Sequence, residues 1–193
     1  QVEVFQPRMI RSLGGMHEAK EAGLITPFLV GPENKIRAAA EAANIPLDGC
    51  EIVPVEHSHA AAVTSVNLAR DGKVGGLMKG SLHTDELMSA VVHRDGGLRT
   101  ESRMSHVFVL DVPRYKFPLI ITDAAINIAP SLEIKKYIIQ NAIYMAHAVG
   151  ISDPKVALLA AAETVNLNMP ATIEAATLCK MADRGQIVGG TLD

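Results

Sequence analysis

The stretch at residues 74–88 reads VGGLMKGSLHTDELM: an apolar run breaks at Lys79, Gly80 and Ser81, and a helix pattern then begins. A second stretch, FPLIITDAAINIAPSLE at residues 117–133, has the same form. Such turns direct backbone N–H groups, hydroxyls and carboxylates out of the carboxyl edge of a sheet. Open α/β proteins bind ligands at that edge, and phosphate binds well at a helix N-terminus. We therefore expect the function to lie in these two turns.

Strand and helix patterns alternate along the rest of the chain. Strands are predicted at 27–30, 51–55, 74–78, 106–112, 119–122, 155–161 and 186–188, and helices at 9–22, 34–43, 59–70, 84–92, 131–149 and 171–182. Short, continuously apolar strands separated by helices predict an α/β fold with mostly parallel sheets and helices on both faces. We expect a first α/β domain at residues 1–124 and a second, incomplete one at 125–193.

Composition excludes several function classes. The chain has 193 residues, 48% of them hydrophobic and only 4% aromatic, with no Trp and a net charge of −3. Few aromatic rings argue against base or sugar stacking, and the charge offers no global positive field for nucleic acid. The longest apolar run, residues 156–162, is too short to span a bilayer, and residues 1–8 resemble no signal peptide. We expect a cytoplasmic protein.

Metal and redox chemistry find little support in the pattern. The two cysteines, Cys50 and Cys179, follow no metal spacing and are predicted to be reduced, buried thiols. The seven histidines form no HExxH motif, so no metal site is expected. The chain also lacks Walker A, GxGxxG and GxSxG motifs, which disfavours ATPases, dinucleotide-binding enzymes and serine hydrolases.

The first turn offers donors for an anion. Gly80 allows a ligand to approach the backbone closely, and Ser81 and Thr84 supply hydroxyls. Thr84 is also predicted to cap the helix, with Asp85 and Glu86 complementing the helix dipole. Capping alone is the alternative interpretation of these residues.

The second turn places Asp123 after an apolar strand, with Asn127 nearby. A carboxylate that hydrogen-bonds the following turn is favoured over one that takes part directly in catalysis. Between the turns, Arg99 and Arg103 precede a strand that starts near Ser105, and guanidinium groups suit phosphate. Solvated surface arginines are the alternative. Glu163 follows another apolar run, where it faces either a cleft or water.

Five blocks carry a resemblance to a known family: LMKGSLHTDELM (77–88), RMSHVF (103–108), ITDAAIN (121–127), ETVN (163–166) and AATLCKMADRG (175–185). Together they resemble the phosphate acetyl/butyryl transferases, or phosphotransacylases, most closely the butyryltransferase-like branch. The resemblance implies reversible conversion of acyl-CoA and phosphate into acyl phosphate and coenzyme A, without metal or prosthetic group. It also implies two α/β domains with the active cleft between them, a fold related to isocitrate and isopropylmalate dehydrogenases, and a homodimer formed through the second domain.

The resemblance leaves the catalytic residues of this chain unknown. In the family a Ser-Arg pair and an Asp that contribute to catalysis lie in a C-terminal segment, so we expect the chain to be C-terminally truncated. The expected substrate- and phosphate-binding residues are Gly80, Ser81, Thr84, Arg99, Arg103, Ser105, Asp123, Asn127 and Glu163.

Two alternatives stay open. One is a catalytically incomplete module of a fused protein that binds coenzyme A or phosphate, or that dimerises. The other is a 4-hydroxythreonine-phosphate-type dehydrogenase, which the missing metal-ligating Asp and His pattern disfavours.

Overall fold

The computed structural model describes residues 2–5, 10–123 and 125–193. It divides into two compact units, Gln1–Thr100 and Glu101–Asp193. The expected division into domains 1–124 and 125–193 stays a prediction, and its boundary residue Ala124 lies outside the described residues. Met9, the predicted first residue of a helix, also lies outside them.

The first unit contains a parallel four-stranded sheet. Its strands are β1 (Val2–Phe5), β2 (Pro27–Gly31), β3 (Glu51–Pro54) and β4 (Gly76–Met78), and its helices are α1 (Ile10–Glu21), α2 (Glu33–Ala43), α3 (Ser58–Arg70) and α4 (Thr84–Val91). The strand order is β3-β2-β1-β4, with all neighbours parallel. The chain runs outward from β1 to β3, and α3 then carries it back to the other side of β1. The strand order therefore reverses between β1 and β4, which makes that position the topological switch point of the sheet.

Helices pack on both faces of β2, since its neighbouring residues Leu29 and Val30 belong to different cores. Leu29 clusters with side chains of α1 and α2, namely Leu13, Met16, Ile36 and Ala40. Val30 clusters with Ala61, Ala62, Leu82 and Leu87 from α3 and the α4 region. Burying a side chain of this size contributes about 1.5–3 kcal/mol. The continuously apolar strand PFLVG is explained by this two-sided burial.

The second unit is a mixture of smaller elements. They are β5 (Val107–Leu110), β6 (Leu119–Thr122), α5 (Leu132–Ala148), β7 (Lys155–Val156), α6 (Pro170–Asp183) and β8 (Thr191–Leu192). β5 and β6 form an antiparallel pair, and β7 and β8 form a parallel pair. The core of this unit joins Ile139 and Ile143 of α5 to Leu178 of α6 and to Ile187.

Two predicted strands differ from this fold. The antiparallel β5–β6 pair is compatible with the expectation of mostly parallel sheets, which did not specify the direction of this pair. The predicted strand at 155–161 is limited to Lys155–Val156. The predicted strand at 186–188 is absent, because the Gln140 side chain occupies both the N–H and the C=O of Val188 and so replaces a ladder partner.

Two further features bear on the expectations. β1 was not predicted from the sequence, although it is a central strand of the first sheet. Cys50 and Cys179 carry free thiols and are half-buried rather than fully buried. In the part of the chain that the structure describes, no helix is long and apolar enough to cross a membrane.

Candidate functional site

The first turn leaves the sheet at its switch point. β4 ends at Met78, and residues 79–83 lead into α4 beside the carboxyl end of β1. Open α/β sheets bind ligands in the crevice beside such a reversal. Residues 6–9, which come next in the chain after β1, lie outside the described residues. The turn containing Gly80, Ser81 and Thr84 therefore occupies the position at which this sheet architecture binds ligands.

Lys79 organises the turn from within. Its ammonium donates hydrogen bonds to the carbonyls of Gly80 (3.2 Å) and Leu82 (3.0 Å). Gly80 and Leu82 are buried, and Ser81 is half-buried. The Lys79 charge thus lies against the turn itself, where it adds to the positive potential of the α4 N-terminus.

The cap of α4 is His83, and the prediction that Thr84 caps this helix is wrong. Thr84 is the first helical residue, because the Glu86 carboxylate three positions after His83 accepts a hydrogen bond from the His83 backbone N–H at 3.3 Å. The other Glu86 oxygen accepts from the Ser58 hydroxyl at 3.1 Å, which links α4 to α3. Asp85 and Glu86 lie in the first helical turn as predicted. Thr84 is exposed, and its hydroxyl has no hydrogen-bond partner among the described residues.

A cavity of about 640 Å³ in the first unit lies elsewhere, between α2 and β3. Its charged lining includes Glu33 and Arg37, which pair with each other at 2.7 Å. β3 is at the opposite edge of the sheet from β4, so this cavity is separate from the switch-point turn.

In the second unit, the Asp123 carboxylate organises the turn after β6. One oxygen accepts from the backbone N–H groups of Ala125 (3.3 Å) and Ile126 (3.0 Å). The other accepts from the Asn127 backbone N–H (3.3 Å) and from the Asn127 side-chain amide. That amide also donates to the carbonyl of Met104 at 3.1 Å. The favoured sequence interpretation, a carboxylate bonded to its own turn, matches this geometry.

These contacts set the proton affinity of Asp123. Partial burial alone raises the pKa of a carboxyl group, but hydrogen bonds from Ile126, Asn127, Ala125 and the His106 backbone outweigh burial here and lower the pKa of Asp123 below its usual range. A carboxylate with a lowered pKa and filled acceptor sites is a poor general base. Asp123 is therefore suited to holding the turn rather than to taking a proton.

The segment that carries Arg103 and Ser105 has neither helix nor strand geometry between residues 101 and 106. Asn141 of α5 binds it at three points: its amide nitrogen donates to the Arg103 carbonyl (2.8 Å) and the Ser105 hydroxyl (2.9 Å), and its oxygen accepts from the Ser102 hydroxyl (3.2 Å). The Thr122 hydroxyl of β6 donates to the carbonyl of His106 at 2.8 Å. Side chains from α5, β6 and the Asp123 turn therefore replace regular backbone pairing along this segment.

The remaining predicted residues are exposed. Arg99 lies in the first unit, just after Leu98, whose N–H binds the Val91 carbonyl at 2.8 Å. Arg103 and Glu163 belong to the second unit. None of these three side chains has a hydrogen bond or an ion pair within the ranges 2–5, 10–123 and 125–193.

Four of the nine predicted site residues meet at one segment of the second unit. Asn141 binds the Arg103 carbonyl and the Ser105 hydroxyl, and Asn127, which also binds the Asp123 carboxylate, binds the carbonyl of Met104 between them. Gly80, Ser81 and Thr84 share the switch-point turn of the first unit, whereas Glu163 joins neither group through a described contact. Sequence reasoning missed Asn141. Its only sequence signal is a polar residue within the apolar run of α5.

Among the described residues, no three or more His, Cys, Asp or Glu side chains lie close enough together to bind a metal ion.

Comparison with known proteins identifies relatives across most of the chain. The family described as "Phosphate acetyl/butaryl transferase" matches residues 56–192. Phosphate acetyltransferase of Rhizobium meliloti is 59% identical over 182 residues, which cover 94% of this chain and 58% of that protein. Phosphate butyryltransferase of Clostridium acetobutylicum is 38% identical over 181 residues, covering 94% of this chain and 60% of that protein. The chain thus spans little more than half the length of these relatives.

A solved structure has the same fold. The branched-chain phosphotransacylase from Enterococcus faecalis V583 superimposes with a TM-score of 0.80 at 24% identity, over the whole of this chain and 67% of the other. At that identity the likeness shows the fold alone. The family match and the sequence relatives establish membership: the chain belongs to the phosphate acetyl/butyryl transferase family.

Proposed function

We propose that the natural polypeptide containing this chain transfers an acyl group between coenzyme A and inorganic phosphate. The observation that carries the proposal is the family match over residues 56–192, which includes the donor-rich turn at the switch point of the first sheet. The relatives named phosphate acetyltransferase and phosphate butyryltransferase support the same reaction class.

In the forward direction a phosphate oxygen attacks the thioester carbonyl carbon, and the carbonyl electrons move onto oxygen. When the tetrahedral oxyanion collapses, the C–S bond breaks, acyl phosphate forms and the coenzyme A thiolate leaves. Preorganised donors stabilise the oxyanion, and we assign this work to the turn containing Gly80, Ser81 and Thr84. Arg99 and Arg103 are suited to phosphate, because an exposed guanidinium with no partner among the described residues can form paired hydrogen bonds to it.

The reverse reaction needs the coenzyme A thiol to lose its proton. Asp123 is a poor candidate for that base, since its carboxylate is occupied by its own turn and its pKa is lowered. We assign Asp123 and Asn127 to support of the segment that carries Arg103 and Ser105. Glu163, exposed and without a described partner, keeps its proposed contact with substrate.

Further parts of the proposal follow from the family resemblance. As the resemblance implies, we propose that the transfer needs no metal or prosthetic group. We also propose the two-domain, isocitrate and isopropylmalate dehydrogenase-like arrangement, a homodimer and a cytoplasmic location. Both acetyl and butyryl groups are candidate substrates, because pockets for chains that differ by two carbons differ in only a few apolar contacts.

The test is to incubate the natural polypeptide with acetyl-CoA or butyryl-CoA, with and without phosphate. Free thiol and acyl phosphate, trapped as hydroxamate, are then measured together. We expect equal amounts of both products and no thiol release without phosphate. Thiol release that ignores phosphate would instead indicate a thioesterase. Tight coenzyme A binding without turnover would favour the incomplete binding module.

A matched pair of serine variants tests the assigned turn. Ser81→Ala removes a hydroxyl from the switch-point turn, and we expect kcat to fall by about 10²-fold, as for the loss of one oxyanion donor. Ser152→Ala is the control, because Ser152 is exposed and is not one of the predicted site residues. Equal activity of the two variants would remove Ser81 from the reaction.

A further inference from the structure

We propose that Asn141 is a positioning residue that fixes the backbone of the Arg103 segment so that the Arg103 guanidinium is held ready for phosphate. This inference rests on the proposed function, in which Arg103 binds phosphate. Asn141 lies in the middle of α5, 38 residues from Arg103 in sequence, and no motif in the sequence predicts that the two residues are in contact.

The segment depends on side chains for its shape. Residues 103–106 make no helix or strand, so their backbone carbonyls need other partners. The Arg103 carbonyl is bound by Asn141, the Met104 carbonyl by Asn127 and the His106 carbonyl by Thr122. Each of these three ties comes from a different part of the second unit.

Of these three residues, Asn141 makes the most hydrogen bonds to the segment. Its amide binds the Arg103 carbonyl and the hydroxyls on either side of it, those of Ser102 and Ser105. Both amide hydrogens and the amide oxygen are thereby used. An amide with every group committed to one short segment fixes the position and the rotation of the peptide that carries the Arg103 side chain.

Arg103 itself is exposed and has no described protein partner, so nothing but its backbone limits where the guanidinium lies. A long side chain on a loose segment loses conformational entropy when it binds phosphate. Holding the segment in advance reduces that loss. Removal of the amide is therefore expected to weaken phosphate binding more than it slows the chemical step.

The neighbouring residue supplies a matched control. Gln140, also on α5, binds the N–H and the C=O of Val188 through its side-chain amide, at 2.9 and 3.0 Å. Val188 is not a predicted site residue. Gln140→Ala and Asn141→Ala thus remove the same kind of side-chain contact from adjacent helix positions, but only Asn141→Ala removes hydrogen bonds to the Arg103 segment.

The test compares Asn141→Ala, Gln140→Ala, Arg103→Ala and the double variant Asn141→Ala/Arg103→Ala in the natural polypeptide. We expect Asn141→Ala to raise the KM for phosphate about tenfold with little change in kcat, and Gln140→Ala to leave both unchanged. The double variant is expected to have the KM of Arg103→Ala alone, because Asn141 acts through Arg103. Urea unfolding of the two single amide variants checks that they lose similar stability.

The outcomes separate this inference from the function beneath it. An inactive wild-type protein overturns the proposed function and this inference with it. An active wild type in which Asn141→Ala and Gln140→Ala have the same KM for phosphate overturns the inference alone. Additive effects of Asn141→Ala and Arg103→Ala also overturn it, since they mean that the two residues act independently.

Discussion

Replacement of Asp123 by Asn is the change that tests the second-unit site most sharply. The Asp123 carboxylate accepts four hydrogen bonds from Ala125, Ile126 and Asn127. In Asp123→Asn the remaining oxygen can keep the Ala125 and Ile126 N–H groups, but the new NH₂ group faces the two Asn127 donors. At about 0.5–1.5 kcal/mol net per hydrogen bond, and toward the lower end for a half-exposed group, we expect a loss of about 1–2 kcal/mol in the free energy of unfolding.

Asp111 is the matched control for this change. It follows β5 just as Asp123 follows β6, but it is exposed and has no hydrogen bond or ion pair among the described residues. Asp111→Asn should change stability by less than about 0.5 kcal/mol. Urea unfolding followed by circular dichroism measures both variants.

The pH dependence gives an independent check. The hydrogen bonds lower the pKa of Asp123 in the folded state below the unfolded value of about 3.9. The carboxylate therefore contributes stability that is fully present above the unfolded pKa and is lost as the pH falls through the folded pKa. The stability gap between wild type and Asp123→Asn should accordingly narrow in acid. Asp123→Asn with the stability of Asp111→Asn at neutral pH, or a gap that widens in acid, would refute the reasoning.

Three further predictions concern other parts of the chain. The buried Thr172 hydroxyl accepts a hydrogen bond from the Asn166 N–H (2.9 Å) and donates one to the Met169 carbonyl (2.8 Å). Thr172→Val should therefore lower the free energy of unfolding in urea by about 1–2 kcal/mol. The control Thr177→Val loses a hydrogen bond to a helical carbonyl and should lower it by less than about 0.5 kcal/mol. Equal costs would contradict this. Burial raises the pKa of Cys50 and of Cys179, which lowers the fraction of each thiol that is ionised at about pH 8. Iodoacetamide should therefore alkylate the native protein more slowly than the urea-unfolded protein. Equal rates would contradict this prediction. Prolonged EDTA treatment should leave phosphate-dependent thiol release unchanged, and a loss that divalent cations restore would show that metal is required.

Local pattern was sufficient for much of the fold. The β4–turn–α4 stretch was predictable because an apolar run, a break at small and polar residues and first-turn acids all point to the same structure. The sequence prediction placed the N-cap one residue too late. The Glu86 carboxylate binds the backbone N–H of His83, so His83 and not Thr84 is the N-cap of α4. Ser131 caps α5 through its hydroxyl, one residue before the helix begins at Leu132.

Pairing and long-range contacts were not predictable in the same way. The direction in which β5 meets β6 depends on the connection between them, which the apolar pattern of each strand does not encode. The loss of the 186–188 strand depends on Gln140, nearly 50 residues earlier. Asn141 was invisible for the same reason, because its partners lie 36 to 39 residues away and only the folded chain brings them to α5.

The central claim, that the acyl group is transferred from the thioester sulfur to a phosphate oxygen, is tested most directly with phosphate in which every oxygen is ¹⁸O. The natural polypeptide is incubated with acyl-CoA and the labelled phosphate, and the masses and amounts of the products are measured by mass spectrometry. Attack by phosphate predicts acyl phosphate that keeps every labelled oxygen, in an amount equal to the free coenzyme A. Unlabelled carboxylic acid as the first acyl product, with the phosphate unchanged, would contradict the account.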